Sequence, residues 1–191
     1  MTLLQIMPDD APDTVLLRTR DEDAIAQALR ERSVSFSRWP QRAEVTPQTS
    51  SEELLDAYRA EVDELCATRG RPLSAVPRHH PAGGAGWLER PPPAPSTFLD
   101  EHRHAEDEVR FFAHGTGCFY LHLDDRVYAV VCEAGDLLSV PAGTRHWFDM
   151  GPVPDFCAIR FFEKEDGWVG DFTQEPIAEG FPRLDALLRE G

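Results

Sequence analysis

The sequence predicts a single, mainly β domain with a few flanking helices, and three observations carry that reading. Between residues 97 and 163 short apolar runs follow one another: TFLDEH, EVRFFA, CFYLHL, RVYAVVC, DLLSVP, RHWFDM and FCAIRFFE. Turn-forming residues separate them at 114–117, 124–125, 134–136, 142–144 and 151–154. Short strands at this spacing build all-β sandwiches and barrels. The one long helical pattern lies near residues 50–69. A chain of 191 residues holds one sizeable core and is too short for two ordinary domains.

Residues 1–75 are expected to be mixed strands and helices that pack on the β region. Asp21 stands where it can cap DEDAIAQALRER, whose Ile25, Ala26 and Leu29 share a face, and VSFSRWP alternates like a strand. Ser50 and Glu53 have capping-box spacing, followed by a stripe of Leu54, Leu55, Tyr58, Val62, Leu65 and Cys66, with Gly70 as a stop. Such a stripe in a small domain normally packs on a sheet. Residues 76–95 are rich in proline and glycine without period, which predicts a loop. No helix follows its GGAG, so it is not a phosphate cradle. The adjacent His79 and His80 would point apart and are poor candidates for one metal. Residues 97–163 form the β core, and 164–191 an irregular cover with one terminal helical turn, expected over an open end of the barrel.

Composition excludes several partners. The formal net charge is −15, from 19 basic and 34 acidic residues, which repels nucleic acid and anionic lipid. No apolar run approaches the roughly 18 residues of a membrane span. The N-terminus MTLLQIMPDD lacks a basic signal region, so a cytoplasmic location is expected. The four cysteines (Cys66, Cys118, Cys132, Cys157) include no CxxC pair and read as reduced thiols.

Four side chains stand out in the β region. His102 and His104, two apart, face the same way in an extended strand. Glu108 keeps that parity, as does Arg110, if no bulge intervenes. His146 follows the tight turn Pro141, Ala142, Gly143. Imidazoles with a carboxylate suit iron, nickel, zinc or copper and poorly suit calcium or magnesium. Four protein ligands leave two positions of an octahedron for water or a chelating substrate, which is a catalytic arrangement. His122 alternates with Phe119, Leu121 and Leu123, so it should face away from their core. His114, at a strand end, could border a pocket mouth.

The spacing resembles the paired motifs of the cupin superfamily, a small metal-binding jelly-roll barrel. His102, His104 and Glu108 lead to Gly115; Gly135 precedes Pro141, Gly143 and His146. Met150 stands where cupins often have asparagine. More narrowly, EHRHAEDEVRFFAHGTGCFYLHL, VCEAGDLLSVPAGTRHWFDMG and FCAIRFFEKEDGWVGDFT resemble the acireductone dioxygenases of methionine salvage, over residues 98–183. The resemblance implies one Fe(II) or Ni(II) held by His102, His104, Glu108 and His146. It also implies substrate contacts from Arg110, Phe98, Phe148 and Trp168, with Arg110 acting in catalysis. The implied substrates are O2 and a small enediol-ketone with a methylthio tail. The iron form would give formate and a 2-keto acid, the nickel form formate, carbon monoxide and methylthiopropionate. A monomer is implied as well. The rival readings are another cupin enzyme (a thiol or flavonol dioxygenase, or a zinc isomerase) and a non-catalytic, metal-stabilised cupin that binds a small molecule.

Overall fold

The computed structural model describes residues 1–42, 44–46, 48–69, 73–76, 78–79, 98–164, 167 and 169–189. Twelve strands are present among them, in two sheets that share one strand. The shared strand is β7 (Glu108–Leu123), 16 residues long. One sheet adds β8 (Arg126–Glu133), β1 (Leu3–Pro8) and β2 (Leu17–Thr19) on one side of it. On the other side lie β10 (Arg145–Asp149), β6 (His102–Arg103) and β12 (Asp171–Phe172). In the second sheet β7 pairs with β9 (Asp136–Val140), which pairs with β3 (Ser35–Arg38). There it also pairs with β11 (Phe156–Phe161), which carries the short β4 (Leu73–Ala75) and β5 (Arg78–His79). Among the described residues the ladder does not close on itself, so the cupin barrel is open there.

The turn expected at 114–117 is instead a corner inside β7. Residues 108–115 pair within the second sheet and residues 116–123 within the first. Gly115 makes the corner at φ +71°, and a Cβ there would lie 1.9 Å from the Asp155 carbonyl oxygen. Strands that change sheet at a bend are how two packed sheets share a corner. Alternation along β7 then assigns its side chains. Phe112, Phe119 and Leu121 enter the core between the sheets, with Val130, Leu138, Phe148 and Ala158. Val109, Phe111 and Ala113 face outward on the second sheet, Cys118 and Tyr120 on the first.

Each outward face has its own cover. The helical stripe of 50–69 packs on the second sheet through Leu54, Tyr58, Val62 and Leu65, as expected. It is two helices, α2 (Ser51–Ala57) and α3 (Arg59–Arg69), broken at Tyr58 (φ −108°, ψ 16°). The capping box of Ser50 and Glu53 is formed. From residue 176 on, the C-terminal segment covers the outer face of the first sheet rather than a barrel end. Phe181 follows a 3-10 turn (Pro176–Gly180), and Leu184 and Leu187 of a closing helix (Leu184–Arg189) join Tyr120 and Trp147. Near the N-terminus, α1 (Glu22–Arg30), capped by Asp21, sends Ile25 and Leu29 into the intersheet core.

Most of the proline-rich stretch, with His80, the GGAG and the stop at Gly70, lies outside the described residues. Its start is not loop: Arg78 and His79 form β5 on β11. TFLDEH yields only a helical turn at 98–99 and the two-residue β6. None of the four cysteines forms a disulfide. No helix among the described residues is long and apolar enough to cross a membrane.

Candidate metal centre

Two short loops and a cross-strand pair build the site. His102 on β6 sits directly opposite His146 on β10, their ring centroids 4.6 Å apart. His104 follows two residues on, its ring 5.1 Å from His102 and 5.2 Å from His146. The chain then bends at 105–106 before β7 begins at Glu108, so parity along one strand is not what brings Glu108 in. The bend is tied to the turn before β10. The Gly143 N–H donates to the His104 carbonyl (2.9 Å), and the Ala142 N–H to Asp107 (2.8 Å).

Hydrogen bonds fix the histidine tautomers. Nδ1 of His102, His104 and His146 lies 2.8, 3.1 and 2.8 Å from the carbonyl oxygens of Asp100, Val169 and Thr144. A carbonyl only accepts, so each Nδ1 carries the proton and each Nε2 keeps a lone pair. The three ligand nitrogens lie within 4.8 Å of one another. His146 Nε2 and His104 Nε2 stand 3.2 and 3.6 Å from Glu108 Oε2. His146 Nε2 is buried without a hydrogen-bond partner among the described residues. Lone pairs facing a carboxylate oxygen call for a cation between them, and N–metal distances of about 2.0–2.1 Å fit this spacing. The donor set therefore fits a divalent transition metal.

Electrostatics keep these donors in binding form. Burial, followed by the neighbouring His146, pushes the His102 imidazole down to about 4. Burial likewise lowers His104, with Glu108 working against it. Burial on its own would raise the Glu108 carboxyl; Arg110, His146 and His104 hold it well below the ordinary carboxylate range. All four groups are buried.

The four side chains line a cavity of about 190 Å3 together with Phe98, Arg110, Phe148, Arg160, Val169, Gly170 and Phe172. That is below the roughly 300–1,000 Å3 of pockets for larger ligands. Arg110 bonds to Glu108 Oε1 and lies over the rings of Phe148 (4.5 Å) and Phe119 (4.8 Å). Its Nε is buried without a partner among the described residues. Arg160 stands opposite Arg110 across β7 and β11. Burial and then Arg110 lower its guanidinium to about 10. Sequence reasoning missed Arg160; the signal was one arginine inside FCAIRFFE, a run otherwise apolar until its final Glu163. Phe172 was also missed, its ring 5.3 Å from that of His102. Trp168 lies outside the described residues. His114 pairs with Asp155 (3.4 Å) and is not part of the cavity wall. His122 does face away from the intersheet core, but it is buried in a polar cluster, its Nδ1 2.6 Å from Glu101 and its Nε2 3.3 Å from Asp9.

Two sheets sharing a cornered strand, with three imidazoles converging on a buried point, define a metal-binding cupin. The chain belongs to the ARD/ARD' family, whose model matches residues 3–170. Acireductone dioxygenase 1 of Nocardia farcinica is 57% identical over 189 residues, covering 98% of this chain and 100% of that protein. Acireductone dioxygenase of Saccharopolyspora erythraea is 52% identical, covering 98% of each. The solved acireductone dioxygenase from Bacillus anthracis, with a cadmium ion in its active centre, superposes with a TM-score of 0.72 at 26% identity. That match covers 90% of this chain and 98% of the other.

Proposed function

We propose that this chain cleaves acireductone (1,2-dihydroxy-3-keto-5-methylthiopentene) with O2, using one Fe(II) or Ni(II) held by His102, His104, Glu108 and His146. The observation that carries the reading is the meeting of three Nε2 lone pairs and a carboxylate in a small cavity lined by two arginines. When bound, the metal supplies a Lewis-acid template for a chelating enediolate and for dioxygen chemistry. Arg110 presents a permanent positive charge to the substrate anion, and its buried Nε is a spare donor for a substrate oxygen. Arg160, on the neighbouring strand, adds a second cation. Phe98 and Phe148 supply apolar wall for the methylthio tail, and the family resemblance adds Trp168. No side-chain nucleophile takes part. A net charge of −15 disfavours nucleic-acid and anionic-membrane partners, the family resemblance suggests a monomer with small-molecule partners, and the acidic N-terminus without a basic signal region supports a cytoplasmic location.

Product analysis after metal exchange tests the reading. The Fe(II) form should yield formate and 4-methylthio-2-oxobutanoate; the Ni(II) form should yield formate, carbon monoxide and 3-methylthiopropanoate. Products no different from those of the spontaneous reaction in both forms would remove acireductone as substrate.

A further inference from the structure

Glu106 is a buried carboxylate that the metal assignment does not use. A buried charge is costly unless it is bonded, and among the described residues its bonds run to one segment. Glu106 Oε2 accepts from the backbone N–H groups of Glu163 (2.8 Å) and Lys164 (3.1 Å), and Oε1 lies 3.5 Å from Lys164 Nζ. The chain turns there, the Gly167 N–H donating to the Lys164 carbonyl at 3.1 Å. A Cβ on Gly167 would come within 2.7 Å of Glu106 Oε2, so backbone rests directly on the carboxylate.

Beyond the turn the same segment reaches the site three times. The Val169 carbonyl accepts from His104 Nδ1 at 3.1 Å. Gly170 lies so close to His102 that a Cβ would meet its Cδ2 at 3.1 Å. Phe172 pairs with His102 in β12 and sets its ring beside that imidazole. Two of the three histidines therefore take their orientation from a strap whose other end is clasped by Glu106.

We propose that Glu106 is a positioning residue: by seating Glu163, Lys164 and Gly167 it holds the Val169 carbonyl against His104 and Gly170 against His102, and so sets how tightly the metal is retained. This rests on the metal assignment above. Hydrogen-bond partners of ligating histidines typically govern metal affinity by about 10–100-fold, and Glu106 acts one step behind such a partner.

The test follows release of Co(II) from the reconstituted full chain to a chelator, with the Co(II) absorption spectrum recorded before release. Glu106→Ala should speed release by about tenfold or more and shift the spectrum, while Glu106→Gln, whose amide oxygen still accepts, stays within about threefold of wild type. If Glu106→Ala does not fold, Gly167→Ala wedges the same clasp and should speed release likewise. Unchanged release and spectrum in the folded variant overturn the proposal, even where its unfolding temperature falls. So does a Glu106→Gln variant as fast as Glu106→Ala. Wild-type protein that binds no Co(II) would instead overturn the metal assignment and this proposal with it.

Discussion

Arg110 is held from three sides, bonded to Glu108 and lying over Phe119 and Phe148, yet its buried Nε has no hydrogen-bond partner among the described residues. Replacing it by alanine should lower kcat/KM by about 100- to 1,000-fold, the usual cost of one charge-stabilising donor in a dry site. Bound metal, measured by elemental analysis, should remain, because Arg110 is not a ligand. Near-normal turnover in Arg110→Ala would remove its catalytic role. That His102, His104, Glu108, Arg110 and His146 would lie together was legible in the sequence, because the spacing within each motif survives the bend at 105–106. Arg160 was not, since it arrives from β11, fifty residues on, through a register that sheet pairing alone decides. The buried state of His122 escaped for the same reason. Alternation said which way it faces, and only the fold brings Glu101 and Asp9 to meet it.

Elements show a similar division. Helical period and the capping box located the 50–69 helices and their buried stripe, but nothing local marked the break at Tyr58. Tyr58 is wholly buried, and its hydroxyl accepts the Arg42 N–H at 3.1 Å. Both depend on chain from outside the helix. The glycines at 115 and 117 read as a turn because a hairpin and a sheet-to-sheet corner use the same residues. The corner gives a sharp prediction. Gly115→Ala combines a left-handed backbone with a clash against the Asp155 carbonyl, and should destabilise by at least about 2 kcal/mol in denaturant unfolding. A variant as stable as wild type would mean that the corner is not as tight as described.

At the scale of the whole molecule, stability should depend on pH and on metal. Asp136 is fully buried where the chain start, β3 and β9 meet, accepting from the Thr2 hydroxyl (2.7 Å) and the Glu133 N–H (2.9 Å) and ion-paired with Arg38 (3.1 Å). Burial raises its carboxyl to about 6 from an ordinary 3.8, although those bonds resist the shift. A raised carboxyl favours the protonated fold, so its contribution is full below about pH 4 and is lost as pH rises through about 6. Asp136→Asn should therefore lack this component: the unfolding temperature of wild type relative to the variant should drop between pH 4 and 6.5. A constant difference would contradict the shift. Metal supplied at about 100 times its dissociation constant should add about 2.7 kcal/mol of stability, roughly 5–10 °C in unfolding temperature. Chelator should reverse the gain, and His104→Ala should show none.

One metal in this cavity is assigned the conversion of acireductone and O2 to products. The most direct measurement loads anaerobically purified protein with Fe(II), adds acireductone, admits oxygen, and follows oxygen uptake together with loss of the enediol absorbance. Fast consumption of both, in equal amounts and dependent on the metal, is the result predicted. No acceleration over the spontaneous rate, with Fe(II) bound at full occupancy, would leave a cupin metal site and contradict the assigned reaction.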